Sequence, residues 1–507
     1  MNQVGKFPTI IINFNIKRYE KIFIFGFVDG HLCITMFYSC NSNDWQESGE
    51  PGSISPEVVM VENPFLIGKE KAIDNAMEFL SETGLESNQT LLRSFNLGKA
   101  KVETKVSNYA ISLVKKLGSK KQVLTQTIPV YTINFKNEDS ENSGFVVTVG
   151  DDRFTKKDVL IYSNEKGARF DLEAREDADF LKDMIAGYLH NKVNNVEMES
   201  SDFTSEKKHV ENVTQPRSQE YEGYSTPTVE IRPTYELYVV GCQACWPQLS
   251  DPYTRYTPFR NGRRAAVGCT AIAMGEIMAN YKWPQYGTYK RYTTNAPQPE
   301  VVQINYADIS EYDYRAVWGT DYLTSNTSWP AAEEYVANLV SEIGYKLNTD
   351  YTASGTLSLA YPWDVPAVFR EMGYLSDACT DYSLEKIKTD IITRKIPVFM
   401  AGWKENGGGG HAYVVRAYEY RKTNKQSYIC VMNGDIYKDT GMRWFWFNAE
   451  MFTTKYNNHP YVPQPDDPEN VVYEYRYSCE VVTNIRKNLN NPGSTNPEWK
   501  VRYHNPY

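Results

Sequence analysis

Gly268-Cys269-Thr270-Ala271-Ile272-Ala273-Met274 and, far downstream, Gly407-Gly408-Gly409-Gly410-His411-Ala412-Tyr413-Val414-Val415 are the two stretches that decide how this chain reads. In the first, a glycine precedes an Ala, Ile and Met run that continues to Tyr281. That pattern predicts a helix over 268–281 with Cys269 at or near its amino terminus. Unsatisfied backbone N–H groups and the helix dipole favour negative charge there, which promotes a reactive thiolate. The same N–H groups can hold a developing oxyanion. The second stretch places His411 at the entry to a strand, behind glycines that leave the backbone uncovered near the ring. Each residue taken singly has a plainer reading: a small apolar filler for the cysteine, a loose loop for the glycines. The glycine quartet lacks the Lys-Ser/Thr of a phosphate loop, and no dinucleotide fingerprint is present.

Working outward, Leu384–Lys395 reads as a second helix, and Val398–Ala401, Ala412–Tyr420, Tyr428–Met432 and Arg443–Phe447 read as strands. Residues 231–485 are therefore a globular, aromatic-rich domain with helices first and a strand-rich half after them. Residues 193–230, rich in Glu, Ser, Lys, Asn, Thr and Pro, have the composition of an exposed linker open to proteolysis. Before it, residues 65–192 form an α+β module. Gly68–Thr83 carries apolar residues at helical spacing, Pro129–Phe135, Gly144–Val149 and Val159–Tyr162 look like strands, and Leu172–His190 is helical again. Residues 41–64 read as a polar tether and 486–507 as a tail.

The 507 residues allow two to four domains. A net charge of -9, from 54 basic and 63 acidic residues, argues against nucleic acid as a partner. Eight cysteines without repeating spacing make no disulfide scaffold. Cys242 and Cys245 form the lone CxxC, a local disulfide or two thiols, and with six histidines in the chain no metal site or cofactor is expected.

No apolar run reaches the ~18–20 residues of a membrane span. Ile22 to Tyr38, preceded by Lys17, Arg18 and Lys21 and closed by Ser39-Cys40, resembles a bacterial lipoprotein signal over residues 1–40. On that reading the chain is exported and possible membrane attachment runs through lipidated Cys40. The competing reading is a strand pair, Lys21–Val28 and Leu32–Tyr38, turning at Asp29-Gly30.

Three blocks in the 231–485 domain resemble the streptopain family of secreted, papain-like bacterial cysteine proteases. Trp246-Pro247-Gln248 with Pro252-Tyr253 is similar to the family's W-x-Q…P-Y stretch. Gly268 to Met274, ending at Tyr281 and Trp283-Pro284, is similar to its nucleophile helix. Pro397-Val398 through Gly410-His411-Ala412-Tyr413-Val414-Val415 is similar to its histidine block. His411 follows Cys269 by 142 positions, within the ~130–150 typical of papain-like proteases. Tyr131–Phe135, Gly144–Val147 with Asp151-Asp152-Arg153, and Val159–Ser163 resemble the family's inhibitory propeptide.

The resemblance implies an α+β fold: a papain-like catalytic domain with a helical half and an antiparallel sheet half, preceded by a small α+β propeptide domain. It implies a zymogen that cleaves peptide bonds, with protein or peptide as substrate, its own propeptide as intramolecular inhibitor, and an apolar preference two residues before the cut. Cys269 is the expected nucleophile and His411 the expected base and acid. Gln248 is the expected oxyanion donor, beside the Cys269 N–H. At the third position the match breaks. Where the family has N-W-G-W, this chain reads Met432-Asn433-Gly434-Asp435, without the Trp. Asn433 is the natural orienter of His411, but alignment on Gly434 puts Met432 there, Asp435 is an alternative, and so is no orienting side chain. Trp444 and Trp446 read as core aromatics before covers of the site. That loss keeps a non-catalytic, peptide-binding surface lipoprotein as the alternative, with an acyl- or amide-transferring enzyme as a third reading.

Overall fold

The computed structural model describes residues 10–16, 19–28, 31–38, 57–81, 101–117, 120–136, 142–154, 158–164, 167–174, 178–199, 220–221, 235–240, 246, 248, 251, 253–260, 262–281, 283, 286–291, 300–305, 330–351, 358–404, 410–432, 444–453 and 477–490. Two compact units divide the chain, residues 1–55 and 56–507. In the first, β1 (Ile10–Ile16), β2 (Tyr19–Val28) and β3 (His31–Tyr38) form an antiparallel sheet, with Lys21 opposite Tyr38 and Val28 opposite His31. This is the strand pair the sequence admitted, with one strand more.

The second unit is organised on one 13-stranded sheet. Its amino-terminal part comprises β4 (Glu57–Met60), β5 (Lys101–Leu117), β6 (Lys120–Lys136), β7 (Asn142–Val149) and β8 (Val159–Ser163), with α1 (Lys69–Ser81) and α2 (Ala178–Glu199) packed on it. The three strands expected here are present, because Val, Ile, Tyr and Phe suit a buried pleated surface. The helix expected over Leu172–His190 begins at Ala178 and runs to Glu199, into the stretch read as linker, and β9 (Glu220–Tyr221) pairs with β5 inside that stretch.

The later part contributes β10 (Tyr235–Val239), a short ladder of β11 (Phe259–Arg260) and β12 (Arg263–Arg264), then helix α3 (Cys269–Tyr281). Strands β13 (Tyr286–Arg291) and β14 (Glu300–Asn305) pair with each other, and α4 (Pro330–Lys346) packs on α3. A ladder of β15 (Asp350–Tyr351) with β16 (Ser358–Leu359) leads to α5 (Val365–Glu371), β17 (Tyr374–Leu375), β18 (Thr380–Asp381) and α6 (Leu384–Lys388). The helix expected over Leu384–Lys395 is real, but continues from Thr389 as a wider π turn. The sheet half follows: β19 (Val398–Lys404), β20 (Gly410–Arg421), β21 (Gln426–Met432), β22 (Trp444–Asn448), α7 (Glu450–Thr453), β23 (Tyr477–Val482) and β24 (Arg486–Lys487).

The order β18-β23-β19-β20-β21-β22-β8-β7-β6-β5-β9 runs the sheet of the 65–192 module directly into that of the 231–485 domain. The seam is β22 against β8, Trp446 opposite Tyr162. Their rings stack at 6.0 Å and 10°, so Trp446 is a core aromatic, as expected. The seam also buries polar groups. Glu419 accepts from Tyr162 Oη at 2.8 Å and pairs with Arg421, whose Nη1 donates to the Phe79 carbonyl at 2.9 Å. The Arg421 guanidinium lies 3.5 Å from the Phe79 ring centroid, a desolvated cation–π contact. Nearby, Asp158 accepts from Tyr188 Oη at 2.9 and 3.0 Å and from Gln426 Nε2. Each polar pair here joins a residue of the module to one of the later domain or closes over the seam.

Candidate active site

Helix α3 begins at Cys269 because Gly268 stands at φ 95°, a left-handed conformation that L side chains resist. A Cβ at 268 would also lie 3.3 Å from Ser358 Cβ. From Thr270 to Ala279 every residue of α3 is buried, so this helix is a core element packed all round. Cys269 itself is half-buried and forms no disulfide with another described cysteine.

The Trp-Pro-Gln stretch lies against the start of this helix. Gln248 is buried, and its carbonyl accepts the Val267 N–H at 3.0 Å, two residues before Cys269. Trp246 is buried against α3: a Cβ on Gly275 would sit 2.8 Å from its ring, and its backbone N–H donates to Glu276 Oε1 at 2.7 Å. At the far end of the helix, Trp283 Nε1 donates to the Gly373 carbonyl at 3.0 Å. The tryptophans of the expected blocks therefore act as packing and anchoring groups.

His411 is the second residue of β20, opposite Gly402 of β19, and both strands pack against α3. The imidazole is 4 % exposed and meets the Tyr413 ring edge-on at 4.8 Å. A Cβ on Gly402 would fall 2.2 Å from Phe180 Cζ, so Phe180 of α2 is seated directly on that glycine. Opposed residues in an antiparallel pair share a face, so Phe180 covers the face on which His411 stands.

Residues 358–363 link α3 and its lead-in to β19. Ser358 Oγ donates to the Ala266 carbonyl at 2.7 Å, and Thr270 Oγ1 donates to the Ala360 carbonyl at 3.2 Å. Beyond them, Tyr361 and Trp363 stack at 4.5 Å, and Trp363 meets Trp403 at 5.8 Å. Trp403 is paired with Gly410, the residue before His411. Tyr361 is 58 % and Trp363 52 % exposed, a large apolar surface beside the start of α3.

The structure thus brings the elements of Gln248, Cys269 and His411 together. Asn433, Asp435, Gly407–Gly409, Cys40, Cys242 and Cys245 lie outside the described residues, and of Met432 and Trp444 only the backbone is described. Sequence reasoning missed Glu276, Phe180, Gly402 and the Tyr361–Trp363 pair. A signal for Glu276 was available, since one carboxylate interrupts the apolar run Ile272 to Met278. Among the described residues no group of three or more His, Cys, Asp or Glu could hold a metal ion, and no helix is long and apolar enough to cross a membrane.

Residues 246–433 match the model of the Peptidase C10 family. The thiol protease/hemagglutinin PrtT of Porphyromonas gingivalis is 26 % identical over 219 residues, covering 38 % of this chain and 24 % of that protein. The chain therefore matches about a quarter of that relative's length. Two solved structures from Prevotella intermedia are similar. A prointerpain A fragment has a TM-score of 0.42 and 16 % identity, covering 74 % of this chain and 98 % of that one. Active interpain A has a TM-score of 0.32 and 19 % identity, covering 50 % and 98 %. The matched segment starts at Trp246 and ends at Asn433, so it takes in Gln248, Cys269 and His411.

Proposed function

We propose that this chain is a cysteine endopeptidase made as a zymogen, with Cys269 as nucleophile, His411 as base and acid, and Gln248 as oxyanion donor. The family match over 246–433 carries the reading, because it spans all three residues. In the reaction, the Cys269 thiolate attacks the scissile carbonyl after His411 takes the thiol proton. His411 then gives a proton to the leaving amine, and water hydrolyses the acyl-enzyme. The Gln248 amide and the Cys269 N–H hold the tetrahedral oxyanion. Asn433, two residues past β21's Val431, orients the imidazole in this scheme. The exposed Leu359, Tyr361 and Trp363 offer an apolar residue of the substrate a surface beside the nucleophile.

The 65–192 module acts as the inhibitory propeptide. Phe180 on Gly402 closes the His411 face, and cutting within 193–230 frees it. Export, with lipid attachment at Cys40, completes the proposal and puts the enzyme outside the cell or on its surface.

Alkylation tests the site. With the linker clipped by trace protease, iodoacetamide near pH 6 should label Cys269 first. Cys379 is an internal control, since burial and the neighbouring Glu480 push its thiol up to about 12. His411→Ala should slow labelling of Cys269 at least tenfold. Equal labelling of Cys269 in parent and variant would remove His411 from the site.

A further inference from the structure

We propose that Glu276 is a positioning residue for the oxyanion hole: its buried carboxyl holds the main chain at Trp246 and thereby fixes Gln248 beside Cys269. This rests on the cysteine-protease reading above and adds to it a group that the reaction scheme does not use.

The geometry is a three-point clamp. Glu276 lies two turns along α3 from Cys269 and is 1 % exposed. Its Oε1 accepts the Trp246 N–H at 2.7 Å. The Trp246 ring packs against Gly275 of the same helix and tilts over Tyr253 at 5.8 Å. Two residues on, the Gln248 carbonyl takes the Val267 N–H at 3.0 Å. The segment that carries the amide is therefore anchored at both ends to α3 and its lead-in, the element that carries the nucleophile. One rigid helix sets both distances.

The chemistry of the site argues that the carboxyl is there for a reason. Its helix neighbours are Ala273, Gly275 and Ile277, and burying a carboxyl among apolar groups costs free energy that Leu or Met would not. Burial holds its titration well above the usual carboxyl range, against the opposing pull of the Trp246 N–H. The oxygen that accepts the Trp246 N–H is Oε1. Glutamine presents the same oxygen in the same place, whereas leucine keeps the bulk and loses the acceptor.

The test uses the full chain with its linker clipped, and four variants: Glu276→Gln, Glu276→Leu, Gln248→Ala and the double Glu276→Leu/Gln248→Ala. Peptide-amide turnover and the rate of Cys269 alkylation are both read, because alkylation needs the thiolate but not the oxyanion hole. Glu276→Gln should retain most of the turnover. Glu276→Leu should lose roughly 10- to 100-fold in kcat with KM changed less than about threefold, a fraction of the ~100- to 1000-fold of a missing donor. Its alkylation rate should match the parent's, and the double variant should be no slower than Gln248→Ala alone. Full turnover in Glu276→Leu, losses that multiply in the double variant, or alkylation falling in parallel would each overturn the proposal. If Glu276→Leu does not fold, Gly275→Ala takes its place. It presses on Trp246 from the same helix and should lower kcat at unchanged alkylation; normal turnover there would overturn the proposal equally. A parent that never turns over would instead sink the protease reading itself.

Discussion

Raising the pH should loosen the seam between the 65–192 module and the sheet at 398–448, and Asp158 is the group responsible. This carboxyl is fully buried, and burial raises its pKa from 3.8 to about 6. The charge of Lys192 and the hydrogen bonds from Gln426 and Tyr188 pull the other way, and Glu450 reinforces the rise. Lys192 itself is paired with Glu450 at 2.5 Å. The folded pKa is raised, so the folded state binds this proton more tightly than the unfolded chain. The contribution is complete below pH 3.8 and is lost as the pH rises through about 6. A shift of that size corresponds to roughly 3 kcal/mol, of which about 2.4 kcal/mol falls between pH 4 and pH 7.5. Asp158→Asn keeps an acceptor for Tyr188 and removes the titration. In a Cys269→Ala background, urea unfolding of both proteins at the two pH values gives a double difference from which other groups, Glu276 included, cancel. The parent should lose about 2.4 kcal/mol relative to Asp158→Asn on going from pH 4 to 7.5. A difference constant within about 0.5 kcal/mol, or of opposite sign, would refute the reasoning.

Two further outcomes follow from the same seam. Arg421→Met strands buried Glu419 without its cation and should cost about 3–5 kcal/mol in urea unfolding, while Glu419→Leu/Arg421→Met should recover most of it; equal costs for the two would show that the pair is not coupled. Gly402→Ala places a methyl within 2.2 Å of Phe180 Cζ and should raise the rate of linker cleavage by added protease. Adding Phe180→Ala to Gly402→Ala removes the clash, so the double variant should be cut no slower than Phe180→Ala alone, and a Gly402→Ala chain cut at the parental rate would show the contact to be immaterial.

What the sequence revealed depends on how local the determining physics is. Helix α3 was legible because Gly268 and an Ala-Ile-Met run specify a start and a buried helix within one short segment. Strands β6 to β8 were legible from their density of Val, Ile, Tyr and Phe. Strand β5 was not, since Lys101 to Leu117 mixes Lys, Ser, Thr and Asn with its apolar residues, and its pairing with β6 supplies what its composition does not. Helix α4 follows Trp329-Pro330 and was passed over, although Val336, Leu339, Val340 and Ile343 lie at helical spacing and are buried. The joined sheet was out of reach, because Trp446 and Tyr162 are far apart in the chain and pair through tertiary contact alone. The same holds for Phe180 and Gly402. Of the proposed site, Cys269, His411 and Gln248 were singled out from motifs, whereas Glu276 accepts from a backbone N–H that only the fold brings to it.

The measurement that bears most directly on the account is hydrolysis of a denatured protein substrate under reducing conditions by the linker-clipped chain, beside Cys269→Ala and His411→Ala. The account predicts steady cleavage by the parent and a loss of at least about 1000-fold in each variant, as expected when a nucleophile or its base is removed. Hydrolysis that survives in Cys269→Ala, or a folded, clipped parent that cleaves nothing, would contradict it.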